Sequence, residues 1–194
     1  MNILGTDPGI RSFGFTVMDV GTQEVIDAGT IRTENDSKAT KTLDGIRRVR
    51  EIGRELADII AGYDIALICT EALSWGGGKE RGGKKPTPGE TSYEQRGGGP
   101  VTMVQMGMVW GMLVTIKDVP VVTRTPQQIK KAVCGAAGAT KTQVAEALAV
   151  QFPTVLPFLP RARLQHEHVW DSLGAIVASR DTELYRAVMA MHNN

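Results

Sequence analysis

The stretch Asn2-Ile3-Leu4-Gly5-Thr6-Asp7, followed by Pro8-Gly9-Ile10-Arg11-Ser12-Phe13-Gly14-Phe15, decides how this chain is read. A short apolar run ends in an acid. A Pro-Gly turn then opens a second run, in which Phe13, Phe15 and Val17 alternate with Ser12, Gly14 and Thr16. That alternation is the period of a half-buried strand. An acid at a strand tip is turn chemistry when alone. With partners it is a device for holding a metal ion or a phosphate. A second apolar run, Ile65 to Thr70, ends in Glu71, and His168-Val169-Trp170-Asp171 sets two more hard ligands three residues apart. Carboxylates delivered from the ends of buried elements suit a pair of magnesium ions.

The rest of the chain frames these residues. Residues 2–7, 12–20 and 24–32 read as three strands of a meander, turned at Gly21-Thr22. Leu43, Ile46, Val49, Ile52, Leu56, Ile59 and Ile60 recur at helical steps, so residues 42–60 form an amphipathic helix ended by Gly62. Arg47, Arg48, Arg50 and Arg54 read as its solvated face. Residues 65–70 form a buried strand parallel to the first. Asp7 and Glu71 then stand on adjacent strands about 4.8 Å apart. His168 and Asp171, at i and i+3, share one face of a closing helix over residues 167–178.

Residues 76–100 change character. Nine glycines and three prolines lie among Lys79, Arg81, Lys84, Lys85, Tyr93 and Arg96, a composition that builds no core and suits a long loop against a phosphate backbone. Residues 101–116 are apolar nearly all round, with Gly107 and Gly111 four apart, which predicts a helix shared with a second copy of the chain. A strand over 119–123, a helix over 126–134 capped by Thr125, and a helix over 141–151 follow, before a turn-rich connector from Pro153 to Pro160.

Composition bounds the reading. The chain has 194 residues, 42% apolar and 22% charged, the profile of a single soluble globular domain. Its net charge of +1 excludes nucleic-acid binding by bulk charge, so any such surface is local. Cys69 and Cys134 lie in apolar surroundings and read as reduced residues of a cytoplasmic protein. No apolar run approaches the roughly 20 residues that span a bilayer. The first residues lack the charged start of a signal peptide.

Four stretches together resemble the RuvC-type Holliday-junction resolvases of the RNase H-like superfamily. They are Ile3 to Gly9, Ala66 to Glu71, Thr125 to Val144 with its Lys-x-x-Val-x-Gly and Lys-x-Gln-Val pattern, and His168 to Ala175. The resemblance implies an α/β fold, an RNase H-like mixed five-stranded sheet flanked by helices. It implies that residues 1–194 are one nuclease domain with a Gly-rich mobile loop at 76–100. It implies a homodimer, joined through helix 101–116, that resolves four-way junctions by paired nicks. Two Mg2+ ions per site would be bound by Asp7, Glu71, His168 and Asp171, with Mn2+ able to substitute. His168 falls where many members carry an Asp, which leaves its role open between ligand and base. Lys141 and Lys130 match lysines near the scissile phosphate, and Lys131, Lys84 and Lys85 join them as DNA contacts. Trp75 lies near the position of an aromatic wedge, although the match is inexact. The long loop would be at home in a phage or mobile-element member.

Three alternatives stand beside this reading. An RNase H-like nuclease for forks, flaps or other branched DNA would share every catalytic residue. A catalytically dead DNA-binding relative would lack acids that are all present here. An actin-like or sugar-kinase phosphate-binding ATPase shares the opening Asp-x-Gly but needs a second such domain, for which 194 residues leave no room.

Overall fold

The computed structural model of the chain describes residues 1–72, 100–116 and 118–192. Five strands form one mixed sheet. They are β1 (Asn2–Asp7), β2 (Ser12–Asp19), β3 (Val25–Arg32), β4 (Ile65–Glu71) and β5 (Val121–Arg124), in the order β3-β2-β1-β4-β5. β1, β2 and β3 pair antiparallel as a meander, while β4 and β5 join β1 as parallel strands. Parallel pairing requires crossovers. Helix α1 (Lys41–Tyr63) carries the chain from β3 to β4, and α2 (Pro100–Val114) lies between β4 and β5.

The sheet is covered on both faces. Leu4, Phe13, Val17 and Ile68 face α1 and α2, where Ile52, Leu56, Val109 and Leu113 are buried. Ile3, Met18, Leu67 and Cys69 face the other way, against Leu173 and Ile176 of α5 (His166–Ser179). Three more helices complete that layer: α3 (Pro126–Cys134), α4 (Lys141–Gln151) and α6 (Glu183–His192). Each fully buried Leu or Ile contributes about 1.5–3 kcal/mol.

Several details differ from the sequence reading. β2 is a central strand, not a half-buried one. Gly14 and Thr16 are buried because α5 lies over them. α1 runs through Gly62, where a side chain would meet only open space, and ends at Asp64 in the left-handed conformation (φ 49). Leu43 is exposed, and Arg48 is only 3% exposed rather than solvated. α6 was not anticipated. Its short apolar set, Tyr185 and Val188, follows α5 after only a tight turn. The residue 76–100 loop lies almost wholly outside the described residues. Cys69 is buried and Cys134 half-buried, both as free thiols, and burial pushes the Cys69 thiol up to about 12. Among the described residues, no helix is long and apolar enough to cross a membrane.

Candidate active site

The register of β1 and β4 pairs Gly5 with Cys69 and Thr6 with Thr70. The next residues, Asp7 and Glu71, therefore stand side by side at the strand ends, both half-buried. On its other side Asp7 pairs with Gly14 of β2. The sheet edge thus carries a row: Glu71, Asp7, Gly14 and then Thr30 of β3.

Glycine sets how closely α5 approaches that row. A Cβ at Gly5 would collide with the Ser172 carbonyl oxygen and stand 2.8 Å from Ile176 Cγ1. A Cβ at Gly14 would collide with the His168 carbonyl. The helix backbone rests directly on the sheet at both points. Thr16 Oγ1 and Ser172 Oγ, 2.7 Å apart in the buried interface, fix its rotation. Gly174 serves the opposite side, where a Cβ would stand 2.7 Å from Ile129 of α3.

With α5 seated so low, its N-terminal turn reaches the strand tips. His168 Nδ1 lies 2.6 Å from Asp7 Oδ2. An ionised carboxylate only accepts hydrogen bonds, so the Nδ1–H donates and Nε2 is left as the ring's acceptor. Asp171 follows one turn later, and its Oδ2 accepts a hydrogen bond of 3.0 Å from Lys141 Nζ. Lys141 is the first residue of α4, placed by a capping box in which Thr140 and Gln143 satisfy each other's backbone N–H groups. The same ammonium donates to Glu167 Oε1 at 2.5 Å. Glu167 lies four residues before Asp171 and was not singled out from the sequence. The i, i+4 spacing around His168 was the available signal.

Charge is unevenly balanced here. Burial, then the neighbouring charges of Asp7 and Asp171, pushes the Glu71 carboxyl up to about 8. Burial and Asp7 also raise the Asp171 carboxyl, with Lys141 working against them. The hydrogen bond to Asp7 raises the pKa of His168. Burial works against the Lys141 ammonium, but Glu167 and Asp171 outweigh it and raise its pKa. Among the described residues, the Glu71 carboxylate has no hydrogen-bond or ion-pair partner. Three half-buried carboxylates with one lysine form an oxygen-rich, cation-deficient donor set, which fits a hard divalent ion. No three Asp, Glu, His or Cys side chains among the described residues stand at the spacing of a closed ion cage. The physical reason is local: Asp7 is turned to His168 and Asp171 to Lys141.

A buried arginine supports the turn that follows Asp7. Arg48 of α1 donates from Nη2 to the Ile10 carbonyl at 3.1 Å and from Nε to Thr33 Oγ1 at 2.8 Å. Its Nη1 reaches Asp44 Oδ2 at 3.4 Å. The helix thereby ties the end of β3 to the Pro8–Arg11 loop.

The structure brings Asp7, Glu71, His168, Asp171 and Lys141 together. Lys130 and Lys131 lie on α3, and among the described residues neither pairs with these acids. Trp75, Lys84 and Lys85 lie outside the described residues.

A mixed five-stranded sheet in this order, with acids at the tips of two parallel strands and a helix laid across them, is an RNase H-like fold. Two Thermus thermophilus RuvC structures share it. One matches with a TM-score of 0.62 at 19% identity over 97% of this chain and 96% of that one. The other, in complex with a Holliday junction substrate, gives 0.63 at 18% identity over the same shares. No family model matches the chain. Curated relatives do: the crossover junction endodeoxyribonuclease RuvC of Synechococcus sp. (strain CC9605) is 31% identical over 150 residues, 76% of this chain and 81% of the relative. That of Prochlorococcus marinus (strain MIT 9303) is 30% identical over the same shares. The chain belongs to the RuvC family of crossover junction endodeoxyribonucleases.

Proposed function

We propose that this protein is a magnesium-dependent endonuclease that resolves four-way DNA junctions by paired nicks, leaving 5′-phosphate and 3′-hydroxyl ends. The observation that carries the reading is Asp7 and Glu71 on adjacent strand tips, with Asp171 on the helix laid across them, in a chain of this family. Those three carboxylates, with His168, would hold the divalent ions, and Mn2+ would serve in place of Mg2+. When bound, the ions would supply Lewis acidity and lower the pKa of water, so that it could be deprotonated for attack on phosphorus.

The chain's own residues supply the rest. The Asp7 carboxylate orients His168 through Nδ1, so that Nε2 is its one free nitrogen, available either to an ion or to a proton. Lys141, anchored by Glu167 and Asp171, places a positive charge beside the scissile phosphate, where it offsets charge that builds in the transition state. The close seat of α5 on Gly5 and Gly14 holds these groups in a narrow geometry, which matters because small displacements of reacting groups are costly.

Paired nicks need two sites in fixed relation, and a twofold dimer provides them. α2 supports such a contact. Met103, Val104 and Val114 are exposed, and a Cβ at Gly107 or Gly111 would meet nothing within 4 Å. A second copy of the chain is the occupant that this apolar face fits. Lys130 and Lys131 on α3 would contact DNA beyond Lys141. Trp75 as a stacking wedge, and Lys84 and Lys85 as backbone contacts, rest on the sequence alone. Cleavage of four-way junction, fork, flap and duplex, each with magnesium and with a chelator, tests the reading. Metal-dependent paired cutting of the four-way junction supports it. Equal cutting of forks or flaps would assign the site to branched DNA in general, and absence of cutting on every substrate would overturn it.

A further inference from the structure

The lysines assigned to the site lie on α3 and α4, and the β3 side carries a basic surface of its own. Residues 160–165 cross that side just before α5. Arg161 and Arg163 are exposed, and Leu164, on the short 3₁₀ turn Arg163–Gln165, is 92% exposed. A leucine left in water beside two arginines has no packing role here.

The knuckle is nonetheless held firmly. The Gln165 N–H donates to the Ala162 carbonyl at 2.8 Å, and His166 Nε2 lies 2.7 Å from the Pro160 carbonyl oxygen. Thr30 Oγ1 of β3 donates to Gln165 Oε1 at 3.1 Å. Thr30 and Arg32 are two apart on one strand and share a face, so Arg32 emerges next to the knuckle. Arg32 pairs across the sheet with Ser12, beside Arg11. All four arginines are exposed, and among the described residues none forms an ion pair.

Position gives this patch its meaning. Gln165 contacts Thr30, and His168 rests on Gly14, its neighbour in the row that continues to Asp7. The arginines therefore begin at β3, with β2 between them and Asp7 on β1. Because the whole chain carries only +1, four uncompensated cations on one flank are a local concentration. Phosphates spaced along a backbone are the repeating anion that such a row fits, and arginine grips them bidentately.

We propose that Arg32, Arg161 and Arg163 form a second DNA track, binding the phosphate backbone on the β3 side, in addition to the contacts of Lys141 and the α3 lysines. The proposal rests on the nuclease reading for its geometry, but it concerns binding rather than cutting. The test is therefore a titration with plain duplex in a chelator, repeated over a range of salt concentrations. Removing two phosphate contacts lowers the slope of log affinity against log salt by about 2. R161A/R163A is expected to bind at least roughly tenfold more weakly than wild type at low salt, with that shallower slope. R161K/R163K keeps the charges and is expected to keep the slope. Both exposed pairs should leave the thermal midpoint unchanged. Wild-type affinity and slope in R161A/R163A would overturn the proposal, as would loss of slope in the lysine pair. Cleavage is read separately: a wild type whose slope depends on these arginines but which cuts no junction upholds the track and overturns the nuclease reading.

Discussion

Gly5 lies so close beneath the Ser172 carbonyl that no side chain fits between strand and helix. The collision partner is backbone, which cannot rotate away. Gly5→Ala is therefore expected to lift α5, costing about 1–3 kcal/mol or more of stability. His168 and Asp171 ride on that helix, so cleavage should fall roughly 100-fold, since a displacement near 1 Å can cost that much. Urea unfolding and single-turnover cutting would measure both losses. An alanine variant as stable and active as the parent would contradict the seating.

The metal-free protein should lose stability as pH rises across the neutral range. The Glu71 carboxyl, ordinarily near 4.5, is pushed to about 8 in the fold. A group with a raised folded pKa stabilises the fold fully below its unfolded value and loses that contribution as pH rises through the folded value. The window is thus about 4.5 to 8. His168, also raised, acts in the same direction. Thermal midpoints of wild type and Glu71→Gln, taken in a chelator, should diverge over this window, with the variant the more stable at the alkaline end. Parallel curves would refute the assignment.

Lys141 both anchors Asp171 and competes with a cation for it. Lys141→Met should slow cutting of junctions by roughly 100-fold, the scale for removing one charge aimed at a developing oxyanion. It should also lower the metal concentration needed for half-maximal activity. A slower enzyme with a higher metal requirement would place Lys141 elsewhere in the mechanism.

Arg48 and Arg47 are neighbours on α1 and both contact Asp44, yet only Arg48 is buried. Arg48→Met removes the buried donor to Thr33 Oγ1, leaves the Ile10 carbonyl with the Thr33 hydroxyl alone, and takes one of two arginines from the buried Asp44, which is more damaging than trimming an exposed partner. Denaturant midpoints should fall further for Arg48→Met than for Arg47→Ala. The reverse order would mean that the loop after Asp7 does not depend on this clamp.

Much of this site was readable in the residues. A strand ending in Asp7, another ending in Glu71 and the His168–Asp171 spacing pointed to adjacent tips and one helix; the register of β1 and β4 sets the tips side by side, and α5 carries His168 and Asp171. The Thr125 cap and the helix over 141–151 were legible because such signals are local, and the structure has capping boxes at Thr125 and Thr140 where α3 and α4 begin. What was not legible depended on distant packing. Gly14 and Thr16 looked like a solvent face, since small and polar residues mark a wet strand and a closely seated helix alike. Arg48 looked solvated because its partners, Ile10 and Thr33, lie far off in sequence. The arginine knuckle beside Thr30 had no local pattern at all.

The central claim is that Asp7, Glu71 and Asp171 act together as one divalent-metal site. Calorimetric titration with manganese, comparing wild type with Asp7→Asn, tests it most directly. The account predicts saturable binding by the wild type and its loss, or severe weakening, in the variant, with the fold intact. Manganese bound equally well by both proteins would contradict it.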